Sequence, residues 1–383
     1  MVDSALGRAH RYTESMMGSL KPTAKLALTA LGAGAALTAA AVGAVSWLTY
    51  RRLIHPTAGD YGMPLPPPEL PHDAVALLSQ DGTRLAAWFV AGTRPTPILL
   101  LHGYGATKRE MLHHAAFLAA AGYPVLLLDL RHSGESEGNA VTFGGKERED
   151  VAAALAYLQA RPDLDRTRIG LLGLSLGGAL ALLAAVDCPA VRAVVAESSF
   201  RDIATAVRRN FRDATRLPHF PFAPITIRMV EWRWGVRASR VAPLREISAL
   251  RDCAVLLIHA QNDTVVAVED AHALFSAAPE PKELWLVPAA DHALAFISER
   301  AVYATRVAAF FDRWLAAPVA DDADHHRTAN IAESSEEDAR CPAGALEARV
   351  RQCSPGSEDA WSVPAREISA REMRTVAAAY SAR

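Results

Sequence analysis

Short apolar runs alternate along the chain with longer stretches in which apolar residues recur every three or four positions. The runs predict strands and the stretches predict helices. The predicted strands are residues 97–101, 124–129, 169–172, 191–197, 254–258 and 283–287, and the predicted helices are residues 108–121, 146–159, 178–186, 268–277 and 299–315. Strands that are apolar on both faces are typical of a parallel sheet covered by helices on both sides. The pattern therefore predicts an α/β fold with a mainly parallel, doubly wound sheet.

Two further runs, residues 74–78 and 84–90, precede this alternation. They flank Asp81-Gly82, a pair of residues typical of the tight turn of a hairpin. We therefore expect an antiparallel hairpin at the N-terminal end of the sheet, and a folded domain that covers residues 74–316.

The segment from Leu26 to Tyr50 contains no Asp, Glu, Lys or Arg over 25 residues. As a helix it would span roughly 37 Å at ~1.5 Å per residue, whereas the hydrocarbon core of a bilayer is ~30 Å thick. Arg51 and Arg52 follow directly, as is typical of an interfacial anchor. The pattern favours a transmembrane anchor over residues 26–50. A cleaved signal sequence and a buried helix of a soluble domain are the alternatives.

More basic residues precede this segment than follow it closely. This favours a single-pass topology with the N-terminus inside and the bulk of the chain outside the cytoplasm. The segment lies between a polar N-terminus (residues 1–25) and a proline-rich linker (residues 51–73). Residues 317–383 are acidic and poor in apolar residues, so we expect a disordered tail there.

The alternation is interrupted at about residues 201–250, which are rich in arginine and carry bulky apolar residues such as Phe211, Phe220 and Trp232. An insertion after the C-terminal end of a strand would cover the mouth of a site. One interpretation is a helical cap whose aromatic residues line an acyl or aryl pocket, with a membrane-facing edge. The other is a helical connection with a small core of its own.

The stretch Gly173-Leu174-Ser175-Leu176-Gly177 stands between a predicted strand and a helix of small residues. In that context the pattern G-x-S-x-G predicts a nucleophile elbow, a sharp turn that raises the serine hydroxyl above the sheet edge. A Cβ at either glycine would collide with the neighbouring backbone. The pattern indicates a catalytic serine at position 175. A glycine-rich turn in which this serine only caps the helix is the alternative.

A serine hydroxyl needs a base to activate it, and the base needs an acid to orient it. Asp263 follows the predicted strand 254–258, and His292 follows the strand 283–287. Loops at the C-terminal ends of parallel strands converge at one edge of the sheet. We therefore expect Ser175, Asp263 and His292 to form a catalytic triad. Glu197, which also ends a strand, is the alternative acid.

The stretch His102-Gly103-Tyr104-Gly105 follows the first parallel strand. Attack on an acyl carbonyl produces an oxyanion, which backbone N–H groups stabilise. We expect one such N–H from Leu176, directly after the serine, and the other from Tyr104. A plain turn is the alternative for the His-Gly-Tyr-Gly stretch.

The formal net charge is −2 and the basic residues do not gather in one patch, so charge gives no case for nucleic-acid binding. The four cysteines show no metal-ligand spacing. The glycines form neither a dinucleotide-binding fingerprint nor a phosphate-binding loop. The sequence thus implies no cofactor and no metal.

Taken together, these motifs resemble those of the α/β-hydrolase-fold serine hydrolases over residues 74–316. The resemblance rests on His102-Gly-Tyr-Gly, Asp129-Leu-Arg-His-Ser-Gly-Glu-Ser136, Gly-Leu-Ser175-Leu-Gly-Gly, Asp263 and Asp291-His292. The loop from Asp129 to Ser136 is mainly structural in that superfamily. The chain is similar to its membrane-anchored bacterial esterase-like and serine-aminopeptidase-like members. The resemblance implies an α/β-hydrolase fold with a helical cap insertion, and hydrolysis by a serine nucleophile.

The sequence therefore predicts a carboxylesterase-like enzyme that cleaves an ester or thioester through an acyl-enzyme. A peptidase or amidase and an acyltransferase with the same triad are the alternatives within this class. A non-catalytic, membrane-bound scaffold is the alternative outside it. The expected partners are a small or lipid-like acyl substrate and the membrane, and the sequence leaves the oligomeric state open.

Overall fold

An eight-stranded sheet forms the centre of the protein in the computed structural model, which describes residues 21–56, 68–288 and 290–316. The strands are β1 Asp73–Leu78, β2 Arg84–Val90, β3 Ile98–Leu101, β4 Val125–Leu128, β5 Ile169–Leu174, β6 Val191–Glu197, β7 Ala254–Ala260 and β8 Lys282–Val287. They lie in the order β1-β2-β4-β3-β5-β6-β7-β8. The β1–β2 hairpin is antiparallel, as is the β2–β4 pair, and the other pairs are parallel. The predicted fold class is confirmed.

Helices cover both faces of this sheet. They are α1 Pro22–Ile54, α2 Leu112–Ala120, α3 Glu147–Ala160, α4 Leu176–Asp187, α5 Ile203–Thr215, α6 His219–Trp234, α7 Pro243–Glu246, α8 Val268–Ala277, α9 Ala295–Ser298 and α10 Arg300–Leu315. Leu99 and Leu101 of β3 share a core with α3 and α4, whereas Ile98 and Leu100 share a core with α2 and α10. Each of these buried side chains stabilises the fold by roughly 1.5–3 kcal/mol. A strand that is apolar throughout therefore stabilises two helical layers at once.

The N-terminal helix α1 is, among the described residues, the one helix long and apolar enough to cross a membrane. Every residue from Leu26 to Ala41 is exposed, and burial on one side begins after that. The helix ends at Ile54 and so includes the first residues of the predicted linker. Residues 1–20 of the predicted N-terminus, residues 57–67 of the predicted linker and the acidic tail lie outside the described residues.

Helices α5, α6 and α7 lie between β6 and β7, where the sequence predicts a cap insertion. We call the segment Ile203–Glu246 the cap. Helix α6 packs against the last turns of α1, and the indole N–H of Trp234 donates a hydrogen bond to the Tyr50 hydroxyl at 3.1 Å. Ile54 and Val230 are buried in the same contact. The cap is thus joined to the N-terminal helix as well as to the sheet.

The loop after β4 is built around the carboxylate of Asp129. The ammonium group of Lys108 lies 2.5 Å from Asp129 Oδ2, and the backbone N–H of Glu135 donates to the same oxygen at 2.9 Å. A Cβ at Gly134 would lie 2.2 Å from this carboxylate, so only glycine fits there. These contacts agree with the structural role that the resemblance implies for this loop.

We predict that Lys108→Met destabilises the fold by about 3 kcal/mol, because it leaves the fully buried carboxylate of Asp129 without its counter-charge. Lys146→Met is the matched control, since the ammonium group of Lys146 is partly exposed and pairs with Glu149 at 3.3 Å. We expect that change to cost less than about 1 kcal/mol. Urea unfolding of the full chain in detergent measures both. Equal effects of the two variants would contradict the proposed importance of the buried pair.

Candidate active site

Ser175 occupies a strained turn between β5 and α4, with φ 51° and ψ −110°. A Cβ at Gly173 would lie 2.2 Å from the carbonyl oxygen of Gly177. A Cβ at Gly177 would lie 2.2 Å from the carbonyl oxygen of Leu101, at the end of β3. Both distances are far below van der Waals contact, so the turn can approach its neighbours only with glycine at both positions. The serine side chain is thereby held at the C-terminal edge of the sheet.

Three side chains from separate loops meet at this edge. The hydroxyl of Ser175 lies 2.9 Å from Nε2 of His292. Nδ1 of the same imidazole lies 2.9 Å and 3.0 Å from the two carboxylate oxygens of Asp263. Ser175 follows β5, Asp263 follows β7 and His292 follows β8. These are the three residues that the sequence predicts as a triad.

The carboxylate of Asp263 is buried and heavily hydrogen-bonded. Burial by itself would raise the pKa of Asp263, but the charge and hydrogen bond of His292, the N–H of Val266 and the neighbouring His259 together lower it. The N–H groups of Val265 and Val266 donate to Oδ1 at 2.9 Å and 2.7 Å. Asp263 is therefore held as an anion facing Nδ1 of the imidazole, where it favours a proton on that nitrogen.

Asp291, the neighbour of His292, joins the two loops instead of contacting the imidazole. Its Oδ1 accepts hydrogen bonds from the backbone N–H of His292 at 2.7 Å and from that of Thr264 at 3.0 Å. The loop that carries the histidine is therefore fixed against the loop that carries Asp263. Asp263 thus contacts the imidazole of His292, whereas Asp291 contacts its backbone.

The residues predicted to stabilise an oxyanion lie beside the serine. Tyr104 and Leu176 line the same cavity as Ser175 and His292, and a Cβ on Gly103 would lie 3.7 Å from Cβ of Ser175. The hydroxyl of Tyr104 donates to the carbonyl of Leu53 at 2.6 Å, and its ring stacks on Phe143. The side chain is thereby fixed against α1. The role of the two backbone N–H groups remains a prediction.

His102, which precedes this loop, has a structural role. Its Nε2 accepts a hydrogen bond from the N–H of Leu130 at 3.1 Å, and its Nδ1 lies 2.8 Å from the carbonyl of Gly103. Burial lowers the pKa of His102. A neutral imidazole therefore links the loops after β3 and β4.

The cavity over Ser175 has a volume of about 420 Å³. The cap contributes one wall through Phe211 and Val207, and the last turn of α1 contributes Leu53. Most of the remaining lining residues are apolar. Of the aromatic residues predicted to line a pocket, Phe211 does so, whereas Phe220 and Trp232 are 70% and 84% exposed.

Two carboxyl groups near the site, those of Glu110 and Glu197, lie outside the predicted triad, and Glu197 is the alternative acid that the sequence offers. Glu110 lines the cavity and accepts the backbone N–H of Gly103 at 2.8 Å. Glu197 accepts the backbone N–H of Ala295 at 2.9 Å. Burial raises the pKa of each to about 7, although these hydrogen bonds act in the opposite direction. Glu197 can be found from the sequence because it is a polar residue at the end of the apolar strand β6. No sequence pattern marks Glu110.

Among the described residues, no group of three or more His, Cys, Asp or Glu side chains is arranged to hold a metal ion.

Comparison with known proteins places this geometry in context. Residues 81–216 match the family model described as X-Pro dipeptidyl-peptidase (S15 family). The chain is 28% identical over 220 residues to the uncharacterized protein YqkD of Bacillus subtilis, covering 57% of this chain and 72% of that protein. It is 29% identical over 262 residues to the uncharacterized protein Rv2307c of Mycobacterium tuberculosis, covering 67% and 85%.

Solved structures share the fold. The esterase Pf2001 of Pyrococcus furiosus superposes with a TM-score of 0.55 at 23% identity, covering 64% of this chain and 94% of that one. The α/β hydrolase GrgF from Penicillium superposes with a TM-score of 0.53 at 19% identity, covering 64% and 99%. The chain has the α/β-hydrolase fold. The sheet order, the elbow after β5 and the loops after β7 and β8 are therefore parts of one known architecture.

We predict that Gly177→Ala costs about 3 kcal/mol of stability or more, because the new Cβ would collide with the backbone of β3. Gly34→Ala on α1 is the matched control, since a Cβ there has no neighbour within 4 Å. Thermal unfolding of the full chain in detergent measures both changes. A Gly177→Ala protein with the stability of the parent would contradict the steric argument.

We predict that the buried carboxyl of Glu197 makes the fold less stable as the pH rises. Its folded-state pKa of about 7 lies above the ordinary value of 4.5, so the folded state binds more protons between these limits. Stability contributed by the neutral form is complete below pH ~4.5 and is lost as the pH rises through ~7. Glu197→Gln should therefore gain stability over the parent between pH 4.5 and pH 8, by about 3 kcal/mol.

Urea unfolding at both pH values tests this, with Glu137→Gln as control because Glu137 is mostly exposed. The control should follow the parent at every pH. A Glu197→Gln protein whose advantage does not change with pH would show that this carboxyl is charged in the folded state.

Proposed function

We propose that the protein is a serine hydrolase that cleaves a carboxylic ester or thioester through a covalent acyl-enzyme. The observation that carries the proposal is the pair of contacts made by one imidazole, 2.9 Å to the hydroxyl of Ser175 and 2.9 Å to the carboxylate of Asp263. A histidine between a serine and a buried aspartate can take up the serine proton and share the resulting charge.

In the first half of the reaction Ser175 Oγ attacks the acyl carbonyl while Nε2 of His292 accepts the hydroxyl proton. Asp263 stabilises the imidazolium and keeps the ring in position. The carbonyl oxygen becomes an oxyanion, which we assign to the backbone N–H groups of Tyr104 and Leu176. When the tetrahedral intermediate collapses, the bond to the alcohol or thiol breaks, and His292 returns the proton to that leaving group.

In the second half a water molecule attacks the acyl-enzyme, and His292 again accepts the proton. Collapse of the second intermediate releases the carboxylic acid and restores the hydroxyl of Ser175. The apolar cavity of about 420 Å³ accommodates the acyl group beside the serine. The esterase neighbour Pf2001 favours an ester, and the relative thiohydrolase aneE of Aspergillus aculeatus, 34% identical over 143 residues, favours a thioester.

Peptide hydrolysis is the second candidate. The match of residues 81–216 to the X-Pro dipeptidyl-peptidase model favours it, and the same three side chains would serve. Acyl esters and dipeptide amides therefore both belong in the first substrate set.

We also propose that α1 anchors the hydrolase in a membrane by a single pass, with the catalytic domain outside the cytoplasm. The supporting observations are its apolar composition, its exposed surface and the excess of basic residues before the charge-free segment.

We predict that Ser175→Ala lowers kcat/KM for p-nitrophenyl esters by about a thousandfold or more, because no nucleophile remains. Asp263→Asn should also lose at least about a hundredfold, since the anion facing Nδ1 is lost. The measurement is the initial rate of the full chain on esters from acetate to palmitate and on Ala-Pro and Gly-Pro p-nitroanilides.

Ser248→Ala is the control, because Ser248 is exposed and lies outside the cavity. Cleavage of only the anilides would replace the esterase proposal by the peptidase one. Unchanged activity of Ser175→Ala would refute both.

A further inference from the structure

Large exposed apolar side chains of the described residues are concentrated on two helices. On α1 they are Leu26, Leu28, Leu31, Leu37, Trp47 and Leu48. On α6 they are Phe220 and Trp232, with 70% and 84% of their surface exposed. Aromatic side chains with this degree of exposure are unusual on a surface in contact with water, and they commonly mark a binding surface.

One face of α6 is a largely apolar stripe that also carries Arg228. Pro224, Ile225, Met229 and Trp232 recur at helical spacing and line one shallow surface depression. Met229 also packs against the cluster in which Tyr50 and Ile54 of α1 are buried. The stripe therefore borders directly on α1.

The length of α1 places this border at the level of a membrane surface. The exposed segment Leu26–Ala41 has 16 residues, about 24 Å at ~1.5 Å per residue, whereas the hydrocarbon core of a bilayer is ~30 Å thick. About four more residues must therefore lie in the hydrocarbon, which brings its edge to about Val45. Residues of α1 on one side are already partly or fully buried there, from Val42 to Ser46.

The residues beyond this level are those expected at a lipid headgroup region. Trp47 lies next and is 48% exposed, and it contacts the ring of Tyr50 at 5.2 Å. Arg51 and Arg52 follow on α1, and Arg228 projects from the α6 stripe with 84% of its side chain exposed. Aromatic rings and arginines at the edge of an apolar surface are typical of contact with phospholipid headgroups.

The cavity of Ser175 lies beyond this level, on the side of α1 away from the hydrocarbon. Leu53, which lines the cavity, is about 12 Å along the helix from Val45. A smaller apolar pocket of about 30 Å³, bounded by α6 residues including Ile227 and Val230, shares Leu53, Phe143 and Val207 with the cavity. Apolar residues thus continue from the α6 helix to the serine.

We propose that α6 lies on the lipid bilayer beside α1, and that an acyl lipid enters the Ser175 cavity from the bilayer past Leu53. The entry of an acyl lipid rests on the hydrolase activity proposed above, whereas the contact of α6 with the bilayer rests only on the proposed insertion of α1. The cap then acts as a second membrane-binding element, and substrates with long acyl chains are drawn from the lipid phase.

The test compares Phe220→Ser/Trp232→Ser with the matched control Leu78→Ser/Val302→Ser, since Leu78 and Val302 are exposed apolar residues outside α1 and α6. The full chain is reconstituted into vesicles of phosphatidylcholine and phosphatidylglycerol. Two substrates are used, p-nitrophenyl acetate in solution and a palmitoyl ester dissolved in the vesicles.

The α6 variant should lose at least about fivefold on the vesicle-borne ester and keep acetate hydrolysis within about twofold. The control should keep both activities within about twofold. Equal loss on the two substrates, or no loss on either, would overturn the entry of substrate from the bilayer.

A second measurement tests the membrane contact without any activity. Brominated phospholipids quench tryptophan fluorescence only at contact distance, so Trp232→Phe should reduce the quenched fraction of the full chain in such vesicles. An unchanged quenched fraction would overturn the contact. If the parent protein hydrolyses no ester, the proposed function fails, while the quenching result still decides whether α6 meets the bilayer.

Discussion

The turn between β5 and α4 is possible only because two positions lack a side chain, and the rest of the site depends on it. At Gly173 and Gly177 a Cβ would overlap backbone atoms by more than an ångström. Between them Ser175 adopts a positive φ, a conformation that costs about 1–3 kcal/mol and persists only where the surroundings impose it. Those surroundings are the fully buried strands β3 and β5 and the small residues of α4, so the apolar core holds a hydroxyl at the sheet edge.

Around that hydroxyl, environment and not residue type sets the charge of each carboxyl group. Asp263 has a lowered pKa because a histidine and backbone N–H groups face it, whereas burial raises the pKa of Glu110 and Glu197 to about 7. Carboxyl groups within one site can thus differ in pKa according to their surroundings.

The N-terminal helix is an integral part of the α/β domain in the described structure. Leu53 forms a wall of the cavity, Tyr104 donates to its carbonyl, and Tyr50 is hydrogen-bonded to the cap. Because α1 forms part of the cavity wall, a displacement of α1 would change the shape of the cavity. If α1 spans a membrane, as proposed, the distance between the bilayer and the serine is therefore set by helix packing and not by a flexible connection.

The sequence by itself determined the strands, the elbow and the order of the three predicted triad residues, because each is encoded locally. An all-apolar run, a strand-to-helix glycine pattern and a polar residue after a strand depend only on neighbours in the chain. Three features required the tertiary structure. They are the packing of Tyr50 and Ile54 against the cap, the position of Glu110 in the cavity wall and the outward position of Phe220 and Trp232. These features arise from contacts between segments far apart in sequence, and whether an aromatic residue lines a cavity or faces outward depends on which side of its helix is covered.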